Sequence, residues 1–191
     1  MSKTLSLPAP SRFTFHISRL LSRVRRNHAL EHATMQVLSE RHRSLRLIGR
    51  SSLWGFYIYG NVSTEEVIGA AQEGLRRLKA GRRQMAIHPN CGTNLAVAGI
   101  LAGLGAFLAL GGLSTRRNRV SSEKLGFWLE RLARLPLACT AAMLGIVISR
   151  PLGTALQAHV TTQANVGDLA LVSVTREERA GVLIHHIRTA G

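Results

Sequence analysis

Leu95 to Leu113, LAVAGILAGLGAFLALGGL, runs for 19 residues without a charge or a strongly polar side chain. A helix of that length crosses a hydrocarbon core of about 30 Å, and uncharged sequence extends on both sides of it. We read it as a transmembrane span; the competing reading is a core helix of a soluble fold. A second run, Leu135 to Ser149, LPLACTAAMLGIVIS, is shorter and is closed by Arg134 and Arg150. Arginine stems can snorkel to the headgroups and uncharged sequence resumes afterwards, so this run is read as a second span. Gly99 and Gly103 form a G-x-x-x-G pair, and Ala138 with Ala142 and Ala141 with Gly145 repeat small-x-x-x-small, which predicts a closely packed hairpin.

The connection Ser114 to Arg134 carries Arg116, Arg117, Arg119, Lys124, Arg131 and Arg134, and Glu123 to Leu132 reads as an interfacial helix with Phe127 and Trp128 at headgroup level. Two spans place both tails on one side. Arginines and lysines flank both ends of the hairpin almost evenly, so charge alone does not orient it. The amino terminus, MSKTLSLPAPSRFTFHISRLLSRVRR, lacks the apolar core and small-residue cleavage site of a secretory signal, which favours cytoplasmic tails. The lipid bilayer is the expected partner, with a second membrane protein reached through the hairpin. A net charge of +15 would suit nucleic acid, but it is nearly all arginine and no aromatic-interleaved basic motif accompanies it, so nucleic acid is not an expected partner.

Outside the hairpin the pattern is mixed. Ile17 to Glu40 has helical period, with Asn27 as a possible interruption or fresh cap, and Leu45 to Gly49 and Leu53 to Tyr59 read as strands. Ser63 and Glu66 form a capping box for a helix that stops at Gly81; Gln84 to His88 then reads as a third strand. Leu169 to Thr175 and Val182 to Ile187 read as a hairpin around REERAG that could complete the amino-terminal sheet. The expected fold class is an α+β soluble domain with a two-helix transmembrane hairpin inserted before a C-terminal β-hairpin. It divides into residues 1–94, holding a metal site, 95–150, the hairpin with its basic loop, and 151–191, completing the soluble domain.

Chemistry concentrates in NHALEHAT, Asn27 to Thr34. At about 100° per residue the apolar stripe of its helix contains Ile17, Leu20, Leu21, Val24, Met35 and Leu38, and His28, Glu31 and His32 fall in that stripe, opposite Arg19, Arg23, Arg26, Ala29 and Ala33. Ionisable groups in core seats need partners. Histidines at i and i+4 present two nitrogens to one Zn²⁺, and Glu31 between them is placed to ligate or to serve as general base toward a metal-bound water. The competing reading is a histidine–glutamate hydrogen-bond network without metal.

Further ligands are expected from HPNCGTN, His88 to Asn94, where His88 and Cys91 are the third and fourth candidates; alternatively the segment is a turn whose Asn90 and Asn94 cap the membrane helix. His159, in QAHVTT, is a reserve ligand. His42 reads as solvated, and of His185 and His186 one should face inward and one outward. Nucleotide loops, the nucleophile elbow and C-x-x-C are missing, and Asp168 is the single aspartate, which disfavours carboxylate-rich Mg²⁺ sites. The two cysteines, Cys91 and Cys139, suggest no disulfide framework.

Together NHALEHAT, GRSSLWGFYIYGNVSTEEV, AIHPNCGTNL, the two apolar runs and QAHVTT resemble an uncharacterised bacterial membrane-protein family, a domain of unknown function found mainly in photosynthetic bacteria, over about Arg25 to Val174. The resemblance implies that His28, Glu31, His32 and the segment His88 to Asn94 are its signature, implies a bacterial inner-membrane location, and brings no activity. H-x-x-E-H is also similar to the motif of inverted zinc proteases, without a clear downstream helix for their acidic third ligand. The expected function is a membrane-anchored metal-binding protein, with zinc-dependent hydrolysis based on Glu31. Its alternative is a non-enzymatic membrane accessory or assembly protein whose His/Glu/Cys cluster is structural.

Overall fold

The computed structural model describes residues 12–42, 46–112, 129 and 131–191, the side chains of residues 12–16 excepted. They fall into two compact units, Met1–His88 with Ala158–Gly191, and Pro89–Gln157.

The first unit opens with α1, Arg12–Arg41, one continuous helix. Asn27 does not interrupt it. The Asn27 side chain is fully buried, its amide donating to the carbonyls of Ser52 and Leu53 while its oxygen accepts from the Thr189 hydroxyl at 2.7 Å. The helix lies against the antiparallel pair β1, Ile48–Ser52, and β2, Gly55–Tyr59. It also lies against α2, Thr64–Lys79, whose Ser63–Glu66 capping box forms as the sequence predicts. Gly74 of α2 lets the helices approach, since a Cβ there would stand 3.1 Å from the Ala33 backbone. The helical wheel is corrected accordingly. Ala29 and Ala33 are fully buried rather than on the solvent side, whereas Ile17, Leu20 and Leu21 are exposed. With partners on two sides, the middle of α1 needs more than one apolar stripe.

Gln84 to His88 is not a strand. Arg83–Ala86 forms a 3-10 turn that packs on α1. The carboxy-terminal segment instead supplies β3, Ala170–Arg179, and β4, Val182–Ala190, joined by Ala180 and Gly181, both at positive φ as a two-residue hairpin turn demands. The order β1-β2-β4-β3 is antiparallel throughout, so the distant hairpin completes the amino-terminal sheet. Phe56, Ile58 and Ile187 from its inner face meet Leu30 and Leu38 of α1, each side chain contributing about 1.5–3 kcal/mol by its burial. Several arginines act as internal ties: Arg23 donates to the Thr189 carbonyl, Arg25 to those of His159 and Thr162, and Arg26 pairs with Asp168 at 2.9 Å.

The second unit contains α3, Gly92–Ala109, and α4, Leu135–Leu156, which pair as a hairpin and are each long and apolar enough to cross a membrane. The second helix runs past Ser149 through Arg150 and Pro151, and a π turn, Gln157–Thr161, continues it. Among the described residues no member of α3 is buried, and Leu95, Ile100, Met143 and Val147 are all exposed. Close packing does rest on small residues, but not on the predicted G-x-x-x-G pair: Gly99 and Gly103 face nothing within 4 Å. The contact seam is Gly105 against Ala141 and Gly145 against Leu101, where an added Cβ would stand 3.0 and 2.8 Å from backbone atoms. The predicted interfacial helix, Glu123 to Leu132, lies almost wholly outside the described residues.

Candidate metal centre

One helical turn separates His28 from His32, and their rings meet edge to face with centroids 4.3 Å apart. His88 follows the 3-10 turn, and its ring lies 5.7 Å from that of His32. Of the four sequence-predicted ligands, His28, His32 and His88 lie in the first unit, where His32 is the neighbour of each of the other two.

The tautomers are legible from the hydrogen bonds. His28 Nδ1 lies 2.9 Å from the Thr161 carbonyl oxygen and His32 Nδ1 lies 2.7 Å from that of Ala86. A carbonyl only accepts, so each Nδ1 carries a proton, and in the neutral tautomer of such a ring the lone pair lies on Nε2. This is the arrangement in which metal-binding imidazoles are held, one nitrogen donating to the backbone and the other left for the cation. His32 Nε2 is buried and has no hydrogen-bond partner among the described residues, and the whole residue is only 2% exposed. A buried lone pair without a donor is costly unless a ligand supplies one.

Glu31, one position before His32 on the helix, is 6% exposed and accepts a hydrogen bond from the Ser51 hydroxyl of β1. Its carboxylate occupies the space a side chain at position 49 would take: a Cβ on Gly49 would stand 2.7 Å from the Glu31 carboxyl carbon. Gly49 and Ser51, two residues apart on the inner face of β1, thus form a seat for the carboxylate. Sequence reasoning missed this seat, because a glycine and a serine in a short strand carry no sign that they face a carboxylate on the helix packed against them.

Cys91 belongs to the second unit, where it caps the amino terminus of α3 and is 8% exposed. The Thr93 N–H points at its sulfur at 3.4 Å, and a helix amino terminus favours negative charge on such a group. His159 is exposed, and it is its backbone carbonyl that is engaged, accepting from Arg25.

The domain of unknown function DUF6391 matches residues 23–174. The chain belongs to this family. The matched residues hold His28, Glu31, His32, Gly49, Ser51, His88 and Cys91 together with both apolar helices. An uncharacterised protein of Picosynechococcus sp. strain PCC 7002 is 33% identical over 179 residues, covering 86% of this chain and 78% of the relative. No solved structure matches. Family membership therefore supplies no activity, and chemistry has to come from the site.

The other two histidines singled out are elsewhere on the sheet. His185 is fully buried, its Nε2 3.2 Å from the Thr64 hydroxyl, and burial, aided by the Arg176 charge, lowers its pKa below the ordinary imidazole value. His186 faces the opposite way, stacked on Tyr57. His42 is exposed but pairs with Glu66 rather than being merely solvated.

Proposed function

We propose that the protein is a membrane-anchored metalloprotein in which His28 and His32 hold a divalent cation, zinc by the chemistry of the donors, with His88 and Cys91 completing its coordination. The buried, unpartnered Nε2 of His32, opposite an Nδ1–H held by the Ala86 carbonyl, carries this reading. Imidazole and thiolate are the ligands zinc selects. The two apolar helices span the bacterial inner membrane, with both tails in the cytoplasm; the exposure of their leucine, isoleucine and valine side chains supports insertion in lipid. Purified full-length protein should contain about one equivalent of metal, as the single site requires, and His28→Ala combined with His32→Ala should remove it. Negligible metal in both proteins would end the proposal.

With a coordination position open, a cation held there would supply Lewis acidity toward a hydrolysable bond, and Glu31 would serve as the general base toward water. A second reading has its own observation. The Glu31 carboxylate is already engaged by Ser51 and enclosed by Gly49, as expected of a group that stiffens a closed, structural site in an accessory protein. Metal retained by Glu31→Gln with unchanged function in the parent organism would favour that second reading.

A further inference from the structure

Helices cover one face of the four-stranded sheet, where Gly49, Phe56, Ile58, His185 and Ile187 point inward. Across the other face the register places Arg50 beside Tyr57, Tyr57 beside His186 and His186 beside Thr175. Tyr57 and His186 stack at 4.2 Å and 8°, Tyr59 stands 6.4 Å from Tyr57, and Trp54, at the corner, is 57% exposed. Ile48 on the same face is 70% exposed. A shallow depression there is lined by Trp54, Thr175, His186 and Arg188. The face also carries Glu177, paired with Arg179 at 3.0 Å. Amphipathic rings, aliphatic side chains and arginines on one surface are the composition of a membrane–water interface.

We propose that this outer sheet face rests on the headgroup layer of an anionic bilayer, Trp54 and Ile48 entering the interfacial region while Arg50 and Arg188 meet lipid phosphates. The inference rests on the membrane reading above, and chain connectivity supports it: α3 begins four residues after His88 and the unit resumes at Ala158, directly after the second apolar helix, so the unit that carries the sheet is tied to the apolar helices at two points of the chain. Charge supports it as well, since the chain carries +15. Single-stranded nucleic acid fits this face less well. The Tyr57 and His186 rings are stacked on each other rather than laid open to a base, and an exposed isoleucine has no role there.

The test uses the full chain in lipid nanodiscs. Trp128→Phe leaves Trp54 as the only one of the two tryptophans, so its emission reports on this face. Lipid brominated near the headgroup should quench Trp54 when the disc contains phosphatidylglycerol, and Arg50→Glu with Arg188→Glu should restore the emission. Emission insensitive to bromolipid, quenching equal in neutral and anionic discs, or a response only to added oligonucleotide would each overturn the proposal. Resistance to alkaline carbonate extraction, measured on the same protein in its native membrane, separates this failure from failure of the membrane reading: an extracted protein sinks both, an integral one with unquenched Trp54 sinks this inference alone.

Discussion

Replacing Gly49 by alanine asks whether the Glu31 carboxylate is held where the sheet places it. The backbone at Gly49 is not in the left-handed region, so alanine itself is tolerated there, and by restricting the unfolded chain it should contribute about 0.4–1 kcal/mol of stability. Against this, the new Cβ would stand 2.7 Å from the Glu31 carboxyl carbon and 2.9 Å from its Cγ, so the side chain must leave the seat and give up the Ser51 hydrogen bond. Loss of a buried hydrogen bond to a charged group costs about 1.5–3 kcal/mol. The net expectation is destabilisation of about 1–2 kcal/mol, a fall in apparent Tm of about 2–8 °C for a chain of this size. Thermal unfolding in detergent should be followed for Gly49→Ala in the wild-type chain and in a Glu31→Ala background, where the space is vacant. The penalty should vanish or reverse sign in that background. An equal penalty in both would refute the carboxylate seat.

In the hairpin, Gly145→Leu should disrupt α3–α4 packing, because even a Cβ there meets the Leu101 backbone at 2.8 Å, whereas Gly99→Leu and Gly103→Leu should leave it intact; rates of disulfide cross-linking between engineered cysteine pairs on the two helices distinguish these outcomes. The lowered pKa of His185 sets a pH dependence: the unfolded imidazole binds a proton more readily than the folded one, so stability is full above the unfolded value of about 6.5 and is lost as pH falls below it, down to the folded pKa. His186, lowered by burial and by Arg188, adds to the same slope. Chemical denaturation at a series of pH values should show this loss, and His185→Leu should make it shallower.

Elements with a long apolar run, a cap or a turn of fixed chemistry were legible in the sequence. The Ser63–Glu66 box, the two apolar helices and the carboxy-terminal hairpin follow from local pattern, and the closure of the sheet by that hairpin was expected because a pair of apolar helices folded as a hairpin returns the chain to its starting end. The third strand failed because Gln84 to His88 is too short for its alternation to be distinguished from a single 3-10 turn, which the α1 contacts then select. The helical wheel failed for a tertiary reason: alanine is read as neutral surface, yet Ala29 and Ala33 are buried because their smallness lets α2 approach at Gly74. The histidines and Glu31 were visible because charge in a core seat is anomalous on its own. Asn27, Gly49 and Ser51 carried no such signal, since an asparagine, a glycine and a serine at element borders usually mark caps and turns.

The identity of the donors around the shared cation is the central claim, and cobalt substitution tests it most directly. Purified full-length protein stripped of metal and titrated with Co²⁺ should develop the intense visible bands of a tetrahedral site together with a thiolate-to-cobalt charge-transfer band. The latter should be lost in Cys91→Ser, and all of it in His28→Ala with His32→Ala. A pale, six-coordinate spectrum unchanged by these substitutions would contradict a centre built on His28, His32 and Cys91.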